Sequence, residues 1–343
     1  MTTTSEAPRP RTSLTVHAPE DLLAAAPVLL GFWPEQSVVL MTFGAHHPFH
    51  ARTDLPSAAA RSRDVRRLVA AELLGPALRH DATHAVLLYY TDDTPAAEAV
   101  HRELRRACRR TGPVLVTALL ADGTHYRELG HPDPTVRRRR HPYDVRAHPF
   151  VLAAAVAGRR LHGSRAELVA SLEQDPAAAA AVSSALVAGR LADAGVPTGG
   201  RSLRDAGDWT LRTVRGLLAD QAVPDDAVLA RLLWVMQAAR VRDAAWSDLR
   251  GHNAEAHLRL WSDAVRRAPD ALVAAPAALL GWSAWQAGDG ALAWAAVDRC
   301  LGASPGHRMA EHLASLLQGA VPPTLWKGGF AWDRGLPQAS STS

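Results

Sequence analysis

The chain has no isoleucine, one lysine (Lys327), one asparagine (Asn253) and two cysteines (Cys108 and Cys300) among its 343 residues. The joint loss of Ile, Lys and Asn follows a GC-rich coding sequence, which supplies Arg, Ala, Gly and Pro instead. The arginines therefore record base composition as much as an anionic partner, and a formal net charge of +4 leaves any electrostatic steering to local clusters. Two cysteines in different halves exclude a disulfide framework and point to a reducing compartment. No apolar run approaches the roughly 18 residues of a membrane span, and residues 1–13 are polar and proline-bearing, without the apolar core of a signal peptide. A cytoplasmic protein is expected. Phosphate loops, dinucleotide fingerprints and nucleophile elbows are missing as well, so no cofactor is expected.

What is present suits a folded chain: 48% apolar and 21% charged residues, long enough for two domains. After a disordered start over residues 1–13, an α/β domain is expected at 14–129. PEDLLAAAPVLL (19–30) opens it as a helix, with Pro19 in its first turn, Gly31 as its stop and Pro27 expected to kink or shorten it. SVVLMTF (37–43) and FHARTD (49–54) form a hairpin. Residues 61–78 are an amphipathic helix with Val65, Leu68, Val69, Leu73 and Leu74 on one side. HAVLLYY (84–90) is a strand, Thr94-Pro95 starts the next helix, residues 114–120 are a third apolar strand, and Asp122-Gly123 turns into 126–129. Strands apolar on both faces and alternating with helices predict a mixed sheet covered by helices on two sides.

Residues 130–148, rich in proline, histidine and arginine, are expected as a linker, and 149–319 as an all-helical domain. Ser164 to Glu167 has the form of a capping box, and Asp175-Pro176 starts a helix expected to run to Gly195. Within 277–305, two helices separated by Gly288-Asp289-Gly290 carry Leu280, Gly281, Ala284, Gly288, Ala293, Val297 and Pro305 at spacings that resemble a single tetratricopeptide repeat. Residues 320–343 form a Pro/Gly-rich tail.

Three sets of residues have chemistry to offer. Asp54, Asp92, Asp93 and Asp122 stand at strand ends, where α/β sheets collect ligands and where clustered carboxylates hold divalent metals; the same residues also serve as turn and cap residues. Arg137, Arg138, Arg139 and Arg140 can neutralise phosphates, though Asp133, Glu128 and Asp144 temper the field and an exposed linker face is the plain alternative. Trp326, Phe330 and Trp332 in the tail are suited to docking, on a partner or on the chain itself. His46, His47 and His50 diverge from one another on a turn and a strand, so they read as a solvated loop and no metal site is expected from them.

The segments DLLAAAPVLLGFWPEQSVVLMTF (21–43), RTDLP (52–56), LLYYTDD (87–93), VRDAAW (241–246) and GDGALAWAAVDRCLGASPGHRMAEHLASLL (288–317) resemble, in order, the family catalogued as domain of unknown function 4192. The resemblance implies an actinobacterial cytosolic protein with no established activity. The first expectation is therefore an interaction or regulatory protein that meets an unidentified protein partner through its helical half. The alternatives are a metal-dependent hydrolase of phosphorylated or nucleotide substrates acting through Asp54, Asp92 and Asp93, and nucleic-acid binding through the four arginines.

Overall fold

The structure, a computed structural model, describes residues 15–45, 49–57, 62–326 and 328–337. The expected disordered start lies outside the described residues, as do His46 and His47. The chain divides into two compact units. One runs to Glu167 and includes Gln318–Ala320; the other comprises Leu168–Leu317 and the residues from Val321 onward.

The first unit is built on a mixed sheet. In chain order its elements are α1 (Pro19–Leu30), β1 (Ser37–Phe43), β2 (His50–Asp54), α2 (Arg63–Arg79), β3 (His84–Tyr90), α3 (Thr94–Thr111), β4 (Val114–Ala121), β5 (His125–Glu128), α4 (Pro134–Arg138), β6 (His141–Pro142) and α5 (Pro149–Val156). The strands lie in the order β2-β1-β3-β4-β5-β6; β3 and β4 are parallel, and every other neighbouring pair is antiparallel. The parallel pair needs a long crossover, which α3 supplies. Asp93, legible in the sequence as a cap, accepts the N–H of Ala96 at 3.0 Å to start α3. α2 starts two residues later than expected, where Ser62 accepts the N–H of Val65 at 3.2 Å. Leu68, expected on its apolar face, is exposed because the buried stripe runs through Val69, Leu73 and Leu74 instead.

Side chains alternate across the strands, so β1 and β3 are buried on both faces. Val38, Leu40, Leu87, Tyr89 and Leu120 form one core with Leu73 and Leu74 of α2 and Val100 and Leu104 of α3. On the opposite face the Tyr90 hydroxyl donates to the Leu23 carbonyl of α1 at 3.2 Å. α1 runs through Pro27 and ends on Gly31, whose φ of 75° suits glycine in a left-handed cap and whose N–H donates to the Pro27 carbonyl at 2.9 Å.

Residues 130–148 are not a bare linker. Asp133 caps α4, and β6 adds a sixth strand by pairing His141 with Tyr126 and Pro142 with His125. A two-residue strand has no alternation to read, and the Pro and Arg around it mask it further. α5, expected to open the helical domain, belongs to the first unit, where Val151 and Ala154 pack on Val28 of α1.

In the second unit the described residues form helices without strands: α6 (Arg165–Ala170, straddling the boundary), α7 (Pro176–Ala188), α8 (Leu191–Ala194), α9 (Gly200–Ala219), α10 (Asp226–Val235), α11 (Ala239–Ser247), α12 (Ala254–Arg267), α13 (Ala274–Ala287), α14 (Gly290–Ala303) and α15 (Arg308–Gln318). The helix expected to reach Gly195 breaks at Arg190, which adopts φ 48°. α13 is buried all along its middle, from Ala275 to Trp285, as the most central helix must be. Gly281 lets three helices meet: a Cβ there would lie 3.0 Å from Leu313 of α15 and 3.4 Å from the Ala293 carbonyl of α14. No helix among the described residues is long and apolar enough to cross a membrane.

Candidate functional site at the strand ends

The register sets the end of β2, the start of β1 and the ends of β3 and β4 along one edge of the sheet, through the pairs Ser37 with Asp54, Ser37 with Tyr90, and Tyr90 with Ala121. All four strand-end aspartates therefore share this rim. Each one is bound to different partners.

Asp92 accepts from the Gln36 side-chain amide at 3.0 Å, while the Gln36 carbonyl oxygen accepts from the Thr91 hydroxyl at 2.5 Å. Gln36 holds φ 43°, an uncommon conformation for a non-glycine residue, and this aims its amide at the β3 terminus. The Thr91 hydroxyl also accepts the Asp93 N–H at 3.0 Å, and the Asp93 carboxylate is used as the cap of α3. Asp54 pairs with Arg52 at 2.6 Å; Arg52 donates further to the Glu35 carbonyl at 3.2 Å and lies 5.9 Å from the Phe32 ring. Asp122 accepts the backbone N–H of Thr124 at 3.0 Å and of His125 at 2.8 Å, and pairs with Arg140. Among the described residues no group of three or more His, Cys, Asp or Glu side chains is arranged to hold a metal ion.

Burial pushes the Asp122 carboxyl up, but its bonds from His125 and Thr124 and the Arg140 charge outweigh this and hold it at about 2. A carboxylate whose pKa is lowered on folding stabilises the fold above its unfolded value, near 4, and that contribution is lost as pH falls towards 2. Asp122→Asn should accordingly flatten the acid limb of a pH–stability profile between about pH 4 and 2. An acid limb as steep as that of the unsubstituted protein would show that the turn bonds do not survive in solution.

Further polar groups, without any signal in the sequence, tie the rim to α1. The Tyr126 hydroxyl donates to Glu20 at 2.8 Å, and burial together with that carboxylate pushes the phenol up to about 12. Asp21 meets His148 Nε2 at 2.9 Å, while His148 Nδ1 accepts the Phe150 N–H at 3.2 Å, so the ring proton sits on Nε2. His50 lies in β2 opposite Met41; burial first, then the Arg159 charge, pushes its pKa down to about 4.

The arginine run divides. Arg140 joins the rim through Asp122, whereas Arg137, Arg138 and Arg139 have exposed side chains. The tail aromatics dock on the chain's own helices. Trp326 stacks on Trp246 at 5.0 Å and 11°, and Phe330 meets the same ring edge-on at 4.8 Å. Trp332 is 6% exposed against Gly207 of α9, its carbonyl accepts from Arg240 at 2.8 Å, and the neighbouring Asp333 pairs with Arg204 at 2.5 Å.

What the rim does chemically is join strand termini through carboxylate–arginine and carboxylate–amide pairs. No curated protein and no solved structure shows significant similarity to the chain. The sequence profile described as Domain of unknown function (DUF4192) matches residues 19–324, which covers most of both units, and the chain belongs to that family.

Proposed function

We propose that this chain is a cytoplasmic protein-interaction protein whose helical unit is the binding scaffold. The observation that carries the reading is α7. Its sequence, PAAAAAVSSALVA, contains no charged residue over 13 positions, yet within it Ala179 and Val182 alone are buried. A surface helix ordinarily turns a charged stripe to water. Here the outward residues are alanine, serine and valine, with Val187 79% exposed beside Ser183 and Ser184. Exposed apolar surface of this kind is expected where another protein seats. The buried, unpaired thiols of Cys108 and Cys300, both pushed up by burial, fit a reducing compartment.

The other two readings have less support. The hydrolase reading needs Asp54, Asp92 and Asp93 to converge, and their oxygens are bound to Arg52, Gln36 and the start of α3. Nucleic-acid binding through Arg137, Arg138 and Arg139 lacks Arg140, which is paired with Asp122.

Quantitative co-purification from the source organism, comparing the full chain with an Ala180→Glu/Val187→Glu variant, tests the proposal. A specific protein recovered with the unsubstituted chain should fall about tenfold or more with the variant, at unchanged thermal stability. Equal recovery from both chains would overturn it.

A further inference from the structure

β4 is paired by β3 from Val114 to Ala121, with an irregularity at Val116, which has no partner in β3. On its other side β5 reaches only Leu119, Leu120 and Ala121, and the Leu129 N–H closes one more position by donating to the Ala118 carbonyl at 2.7 Å. Among the described residues no strand continues beyond that point, so 114–117 form an open sheet edge. Proteins blunt such edges with charge, proline, a bulge or a covering loop. The irregularity at Val116 interrupts the pairing with β3, and no strand among the described residues pairs with 114–117 on the outer side. This edge reads Val-Leu-Val-Thr, with Val114 64% and Val116 60% exposed.

The edge is the floor of a groove of about 650 Å³, walled by the second half of α3 and by residues 128–132. The lining is basic: Arg105, Arg109 and His131 stand against a single acid, Glu128. Arg109 is exposed and has no ion pair among the described residues. The far wall is held in place. Arg105 donates to the Gly130 carbonyl at 3.3 Å, and Gly130, at φ 75°, sits so close that a Cβ there would lie 2.5 Å from His101 Nε2. His101 is 4% exposed, and its Nε2 has no partner.

We infer that this groove accepts an extended acidic segment of another protein as an added strand beside 114–117. Main-chain hydrogen bonds to the open edge would provide affinity, apolar side chains of the segment would cover Val114 and Val116, and its carboxylates would meet Arg105 and Arg109. Charge selects this occupant over a second copy of the chain. Edge-to-edge pairing of two copies would bring the same arginines together, and like charges at close range oppose it. The inference does not depend on α7, which lies in the other unit, so either proposal can fail alone.

The test is fluorescence anisotropy of the full chain with labelled ten-residue peptides: alternating valine and glutamate, the same with lysine for glutamate, and the acidic peptide N-methylated at alternate backbone nitrogens. The acidic peptide should bind at least about tenfold tighter than the lysine peptide and weaken with rising salt. N-methylation should abolish binding, because it removes strand donors without altering charge. Arg109→Glu should lose about tenfold in affinity at an unchanged melting temperature, since the residue is exposed. Charge-blind binding, tolerance of N-methylation, indifference to Arg109→Glu, or absence of saturable binding would each overturn the inference. So would self-association, measured by sedimentation, that blocks the peptide.

Discussion

Trp282→Ala is expected to destabilise the helical unit by about 3–5 kcal/mol, the range for truncating a large buried aromatic. Trp282 is fully buried, with ring centroids of Trp246, Trp326 and Trp285 at 4.7, 4.9 and 5.2 Å. Two losses combine. The cavity removes contacts to three aromatic neighbours at once, and the Met309 carbonyl of α15 loses the indole donor now 3.2 Å away. Trp282→Phe keeps most of the volume and drops only the hydrogen bond and part of the ring, so it should cost less than half as much. Urea unfolding measures both: the midpoint should fall in the order unsubstituted, Phe, Ala, with the slope nearly constant. A loss below about 1 kcal/mol for the alanine variant would mean that this aromatic cluster is not the core of the unit.

Gly207→Ala should have an effect of similar size but for a different reason. A Cβ on Gly207 would fall on the six-membered ring of Trp332, so the ring must leave its seat on α9. An indole of this size buries on the order of 200 Å², and its release exposes enough apolar surface to cost about 2–4 kcal/mol. The segment from Gly328 through Pro337 should then become accessible to protease, because Arg204 and Arg240 lose the geometry in which they hold Asp333 and the Trp332 carbonyl. The sign reverses once the indole is gone. With Trp332→Ala in place, alanine at 207 meets no ring and gains the helix propensity that glycine lacks, so Gly207→Ala should stabilise by up to about 1 kcal/mol. A double-mutant cycle without that reversal would rule out the packing of Trp332 on α9.

These two expectations also show where sequence reasoning stops. Trp326, Phe330 and Trp332 stand out as docking residues by composition alone. That their dock is this chain depends on Trp246, Gly207, Arg204 and Arg240, between 80 and 130 positions earlier, and no local pattern joins such pairs. The strand-end aspartates behave in the same way. Asp93 is readable as a helix cap and Asp122 as a turn residue from their neighbours, and both are. Gln36 and Arg140 were not readable as partners of Asp92 and Asp122, because Gln36 acts through a backbone conformation, and Arg140 sits in a run of four arginines that are identical in sequence but not in position.

The boundaries follow this division. β1, β3 and the first turns of α3 and α7 announce themselves through apolar β-branched runs and capping residues, features that involve neighbours within about four residues. β6 does not, since two residues become a strand only by being hydrogen-bonded to β5.

By itself, then, the sequence determined the two-part architecture, the helix and strand periods, the starts of α3 and α7 and the family, because each depends on residue types at short spacing. Tertiary structure decided which aspartate meets which arginine or amide, where the tail aromatics rest, and that half of β4 keeps an open edge beside Arg105 and Arg109. Those outcomes depend on side chains and strands brought together from distant parts of the chain, and their geometry is set only when the sheet and the helices have packed.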